Sequence, residues 1–188
     1  MTALSKPRID PLKESEWTKE IREAMMSVPL GKGGQIPNIF ATLSRHVKLL
    51  KCMLASGRHV MVESTLPPRD RELLILRVGW LCRSEYEWGQ HVIRGRKAGL
   101  TDDEIQRVTK GPGAVEWDPF DAALLHAADE LHSDAFIGDK TWKTLSKRYE
   151  TCQLMDLIFT VGQYNTVSMV LNSLGVQLDE ELEGFPEP

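Results

Sequence analysis

No apolar run in this sequence is longer than four residues, and the stretch Leu73–Leu76 stops at Arg77. A membrane-spanning helix needs about 18 or more apolar residues, so no membrane partner is expected. The opening Met1-Thr2-Ala3-Leu4-Ser5-Lys6-Pro7-Arg8 lacks the apolar stretch of a secretion signal, which points to the cytoplasm. Cysteine is scarce. Cys52, Cys82 and Cys152 are odd in number, far apart and include no CxxC pair, so a disulfide framework is not indicated. Positive charge is also short: with 27 acidic against 23 basic residues and no long Lys or Arg block, no nucleic-acid partner is expected. Runs of alternating apolar and polar residues, the mark of a half-buried strand, are missing as well.

What is present is helical periodicity. Of the 188 residues, 41% are hydrophobic, enough for the core of one domain. Residues 1–35 read as an N-terminal extension: Pro7, Pro11 and Pro29 punctuate it, Ser15–Met26 reads as a helix, and Gly31-Lys32-Gly33-Gly34 as a flexible flap. Residues 36–178 read as the helical domain and 179–188 as a C-terminal tail. Asn38 is expected to cap one helix running to about Val62, with Phe40, Leu43, Val47, Leu50 and Leu54 at helical spacing. Pro67-Pro68 opens a second helix, Arg69–Leu81, apolar on nearly every side and therefore central. Ser84 with Glu87 forms a capping-box pattern that opens a third helix, stopped by Ala98-Gly99. Further helices are expected from Thr101 to about Thr109, from Asp118-Pro119 to about His132, over Asp139–Arg148, and from Thr151 to about Leu174. The fold class is all-α, with a central antiparallel helical hairpin. Lys97-Ala98-Gly99-Leu100 echoes Ser173-Leu174-Gly175-Val176, which reads either as an internal duplication or as two ordinary helix stops.

One helix carries credible chemistry. At about 100° per residue, Ser84, Glu87 and His91 fall within roughly 40° of one another, with Trp88 at the edge of the stripe. Tyr86 points away, toward a different wall or the mouth of the site. Glu87 and His91 are four residues apart, within hydrogen-bonding reach. A carboxylate holding an imidazole fixes its tautomer and raises its basicity, which suits proton transfer. Ser84 adds a hydroxyl, and Glu72 on the preceding helix comes within range if the two helices are antiparallel. Among the other histidines, His126 reads as a core or interface residue, and His132 as a helix-end residue where positive charge is favourable. His46 and His59 carry no pattern.

The run Leu66-Pro67-Pro68-Arg69-Asp70-Arg71-Glu72-Leu73-Leu74-Ile75-Leu76-Arg77-Val78, then Tyr86-Glu87-Trp88-x-x-His91, then Ala98-Gly99-Leu100-Thr101-Asp102-Asp103-Glu104-Ile105 resembles the carboxymuconolactone decarboxylase family. That resemblance implies a helical bundle like that of alkylhydroperoxidase D, and a homo-oligomer, typically a trimer or hexamer. In the peroxidase branch a CxxC begins the second helix, with a histidine four residues after its second cysteine and a glutamate twelve before its first. Those positions here are Ser84, Glu87, His91 and Glu72. The acid and the histidine remain and both sulfurs are gone, so thiol peroxidase chemistry, which needs a thiolate and a resolving thiol, is not expected.

The favoured reading is a cofactor-free lyase or isomerase acting on a small carbonyl acid or lactone. His91 is the expected acid/base and Glu87 its orienting partner. Tyr86 and Ser84 would bind negative charge, and Glu72 would complete a relay. Trp88 and Phe40, with Tyr164 and Asn165 from the second half, would wall the pocket. Two alternatives stay open: a metal enzyme using Glu87 and His91 as ligands with Glu72 as a third, and a ligand-binding or scaffold protein without catalysis.

Overall fold

The computed structural model describes residues 4–186. Among these residues the regular structure is entirely helical. Nine α-helices follow in chain order: α1 Lys19–Met25, α2 Asn38–Leu43, α3 Val47–Arg58, α4 Pro68–Leu81, α5 Glu85–Lys97, α6 Asp102–Lys110, α7 Pro119–Asp134, α8 Asp139–Leu145 and α9 Thr151–Leu174. The architecture is the expected all-α bundle. α4 lies at its centre, packed against α5, α6, α7 and α9. Leu73, Leu74, Ile75, Leu76 and Val78 are all fully buried, as a helix apolar all round must be.

α4 and α5 form the antiparallel hairpin. Gly95 late in α5 faces Glu72 and Leu76 early in α4, and a Cβ there would sit 3.1 Å from Leu100 and 3.4 Å from Leu76. The missing side chain lets the two helices approach closely where Glu72 meets α5. Thr101 and Glu104 make the expected capping box at α6: each side chain accepts from the other's backbone N–H, at 3.2 and 2.8 Å.

Local expectations fail where side chains find better partners. The helix expected over Asn38–Val62 is broken. His46 leaves the helical region (φ −133°, ψ 79°), and its Nδ1 accepts from Leu49 N–H, so it caps α3 and turns the chain. A π-turn over His59–Glu63 follows. Asn38 does not cap; it lies inside α2 and donates its side-chain amide to the Gln177 and Leu178 carbonyls. Ser84 does not cap α5 either: its hydroxyl is buried without a partner. His126 lies on the exposed side of α7, which excludes the core position expected for it as one of two and leaves the interface position open.

The two chain ends are not peripheral. One apolar cluster gathers around α4, α7 and α9. A second joins Ile21, Ala24 and Val28 of the N-terminal segment to α2, α3, Tyr86 of α5 and Val167 of α9. The expected flap is a short 3₁₀ turn, Lys32–Gly34, bonded to Glu181 through Lys32 N–H. In the segment after α9, Asp179 accepts from Tyr86, Gln90 and Asn38, while Phe185 packs 5.0 Å from Trp80 and 5.7 Å from Trp88.

Candidate active site

A cavity of about 800 Å³ opens beside the second apolar cluster. Its polar end belongs to one face of α5: Glu87, His91 and Arg94 follow at i, i+4 and i+7, and all three line it. Tyr164 and Gln163 of α9 stand alongside, and the N-terminal segment, α2, α3 and the π-turn supply the rest of the wall.

His91 is 2% exposed and is held at both ring nitrogens. Its Nδ1 lies 2.6 Å from Glu72 Oε2, and its Nε2 lies 3.0 Å from Glu87 Oε1. Burial alone would drive the imidazole pKa down. The two facing carboxylates outweigh burial and raise it above its ordinary value. Burial likewise pushes the Glu72 carboxyl up, but the charge and hydrogen bond of His91, with Arg71 and Arg94 nearby, bring it below its ordinary value. Both shifts favour the charged pair, an imidazolium facing the Glu72 carboxylate. Glu72 Oε1 also meets Arg71 at 3.3 Å, so a chain of charge runs from the cavity wall through Glu87, His91 and Glu72 to Arg71. Glu72 itself stands behind the ring and does not line the cavity.

Tyr164 meets the His91 ring edge-on, with centroids 4.9 Å apart, and its hydroxyl rests 3.2 Å from the Met61 sulfur. A thioether is a weak acceptor, so a stronger one arriving in the cavity would take this proton. Burial pushes the Tyr164 phenol well above its ordinary pKa, and Glu87 adds to the effect. It therefore stays protonated and can donate.

The structure gathers Glu72, Glu87, His91, Tyr86, Phe40 and Tyr164 around one site and sends three expected members elsewhere. Ser84 precedes α5 with non-helical backbone (φ −99°, ψ 92°), so the helical stripe does not extend to it, and its hydroxyl is sealed. Trp88 is one residue past Glu87, about 100° further round the helix. It packs against Trp80 and Phe185. Asn165 turns away from the cavity in the same manner, meeting His132 Nδ1 at 2.6 Å and the Cys82 sulfur at 3.3 Å. Tyr86 lines the cavity, but its hydroxyl donates to Asp179 Oδ2 at 2.6 Å. Burial and Asp179 drive its pKa far up, so this proton is committed and not free for a substrate. Sequence reasoning missed Arg94, Gln163 and Asp179. Arg94 had a signal, since it extends the Glu87–His91 spacing by three residues. Asp179 had none.

The two carboxylates approach opposite sides of the ring. Among the described residues, no three His, Cys, Asp or Glu side chains are grouped to hold a metal ion. Cys82 is half-buried, and burial raises its thiol pKa. This gives it none of the thiolate character that peroxide reduction requires.

Residues 48–130, from α3 through most of α7, match the model of the carboxymuconolactone decarboxylase family. The expected relationship is thus shown for the segment that holds Glu72, Glu87, His91 and Arg94. Among curated proteins, none matches the chain by sequence. Solved structures extend the likeness to nearly the whole fold. The alkylhydroperoxidase AhpD core protein of Ralstonia eutropha JMP134, described as peroxidase-related, has a TM-score of 0.81 at 16% identity, with 95% of each chain covered. A peroxidase-related protein of Silicibacter sp. TM1040 gives 0.72 at 20% identity, covering 96% of this chain and 93% of that one. The debrominase Bmp8, in complex with 2,3,4-tribromopyrrole, gives 0.74 at 10% identity, covering 96% and 95%. At these identities the neighbours establish the fold, and this fold serves a debrominase among others. No described helix is long and apolar enough to cross a membrane.

Proposed function

We propose that the protein is a cofactor-free acid/base enzyme, a lyase or isomerase that moves protons on a carbonyl acid or lactone bound in the α5 cavity. The observation that carries this reading is His91 held between Glu72 and Glu87 at the polar end of that cavity.

The geometry refines the roles expected from sequence. Both ring nitrogens of His91 are engaged, so an entering substrate meets Glu87 first. Glu87 takes a proton from the substrate, or receives the His91 Nε2 proton and passes it on. In the second case His91 becomes a neutral imidazole, still held by Glu72 at Nδ1. Either state keeps the Nδ1–Glu72 hydrogen bond, which lowers the reorganisation that proton transfer needs. Glu72 is a positioning residue. Tyr164, with only a sulfur to satisfy it, donates to the substrate oxygen where negative charge develops.

The test is turnover of a panel of short keto acids and lactones, followed by NMR, with wild type, Glu87→Gln and His91→Ala. Each variant is expected to lose about 10²-fold or more. Full turnover in both would rule out the assignment. The three unpaired cysteines fit a reducing cytoplasm. Self-association would cover Met155, Phe159 and Met169, which α9 leaves exposed. Light scattering on the purified protein should then give a mass three or six times that of the chain.

A further inference from the structure

The cavity is larger and more apolar than a short keto acid requires. Its volume of about 800 Å³ falls in the range that encloses drug-sized ligands. Away from α5 the wall is built from Val28, Ile39, Phe40, Leu43, Met53 and Leu54. Its mouth is apolar too, with Met26, Leu30 and Val62 on the rim and mostly exposed to solvent.

Three cationic side chains line this space. Lys51 pairs with Glu20 at 3.0 Å and Arg58 with Glu63 at 2.8 Å. Arg94 is half-buried and feels the Glu72 charge at longer range, but makes no ion pair and no hydrogen bond among the described residues. A guanidinium carries five donors in a planar fork suited to a carboxylate, so donors that meet no protein acceptor stay open to one supplied by a ligand. It stands three residues beyond His91, about 4.5 Å further along the helix. An anion seated on it therefore holds its neighbouring carbons within reach of Glu87.

Resting on the acid/base reading, we infer that the occupant is a carboxylate with an extended apolar body. The carboxylate sits on Arg94, and the chain lies along the wall made by the N-terminal segment, α2 and α3. The polar and apolar ends of the cavity thus select opposite ends of one amphiphile. The reacting carbon is the one placed beside Glu87, close to the charged end. This makes the segment Glu23–Gly31 part of the specificity apparatus, because Val28, Pro29 and Leu30 close one side of the chain-binding wall.

The test is calorimetric binding of butanoate, hexanoate, octanoate and 1-octanol to the full chain. No turnover is needed. Affinity should rise about fourfold per added methylene. Octanoate should bind about tenfold or more tighter than 1-octanol. Arg94→Gln should erase that preference and keep the dependence on chain length. Glu87→Gln should bind octanoate at least as tightly as wild type, since it removes a neighbouring negative charge. Equal affinity for octanoate and 1-octanol in the wild-type protein would overturn the inference, and that comparison involves no variant. So would an affinity flat across the chain series, or a carboxylate preference that survives Arg94→Gln. These outcomes are independent of the turnover test. If binding fails while Glu87→Gln still abolishes turnover of short acids, the substrate class is wrong and the acid/base site stands. If binding succeeds while both site variants keep full turnover, the ligand assignment stands alone.

Discussion

Two buried ion clusters hang from the same central helix and end in different ways. Arg77 of α4 is buried, while its partner Asp129 keeps 29% of its side chain exposed. The Arg77 Nε and Nη2 reach Asp129 at 2.6 and 2.9 Å, and its Nη1 donates to the Val108 carbonyl at 2.9 Å. Glu72, five residues earlier, is just as buried, but its chain of contacts through His91 ends at Glu87 on a cavity wall. Both clusters satisfy the rule that a buried charge must be paired. Burial and pairing thus do not separate a structural cluster from a chemical one. What separates them is where the last group stands: Asp129 lies at the outer surface, and Glu87 on the wall of a cavity.

The comparison can be broken in several ways. The largest effect on stability is expected from Arg77→Met, which leaves the buried Val108 carbonyl without its side-chain donor and Asp129 without its cation. Urea unfolding should show a loss of about 2–3 kcal/mol, with ligand binding in the α5 cavity unchanged for the folded fraction. A loss under about 1 kcal/mol would mean that water replaces the guanidinium, and the contrast would weaken.

Gly111→Ala should come next, at about 2 kcal/mol. Gly111 has φ +80° and ψ −169°, a conformation other residues strongly avoid, and an added Cβ would sit 2.7 Å from Arg77 Nη2. Its cost should shrink in an Arg77→Met background, because part of it is the clash with that guanidinium. Additive costs would assign all of it to backbone strain.

The open cluster should reveal itself in the pH dependence of stability. Glu72 has a lowered pKa when folded, so its contribution is present above its ordinary value and is lost as pH falls through the folded one. His91 has a raised pKa, so its contribution is present below its ordinary value and is lost as pH rises through the folded one. Both are fully present between 4.5 and 6.5, the ordinary values of the two groups. The difference in Tm between wild type and His91→Gln should therefore be widest there and narrow on both flanks. A difference that is flat with pH would argue against the imidazolium. The smallest effect should come from Asn165→Ala, which faces away from the cavity. Octanoate affinity should stay within about twofold, well under the cost of losing one contact to a bound ligand.

How much of this was legible in advance follows from the range of each interaction. The capping box of Thr101 and Glu104 and the Glu87–His91 pair lie within one or two helical turns, and both form. The capping role of Ser84 failed although its local pattern was just as good. The residue sits in the α4–α5 turn, and Glu87, which the box requires, faces His91 instead. Trp88 stands at the edge of the Glu87–His91 stripe and Asn165 next to Tyr164, and neither reaches the site. One residue along a helix is about 100° of rotation, enough to move a side chain to another wall.

By itself the sequence determined the helices from α4 onward, the buried character of α4 and the spacing that sets Glu87 four residues before His91; before α4 the helices expected over Ser15–Met26 and Asn38–Val62 are each divided. Each of these depends on backbone geometry that repeats every few residues. Only the tertiary structure decided that Glu72 is the second partner of His91, that Asp179 takes the Tyr86 proton, and that Arg94 makes no ion pair among the described residues. Those facts depend on which side chains meet across segments 19 to 93 residues apart, and no local periodicity encodes such meetings. The cavity belongs to the same class. It is space left where α2, α3, α5, α9 and the N-terminal segment do not close on one another, a property of their packing and of no single helix.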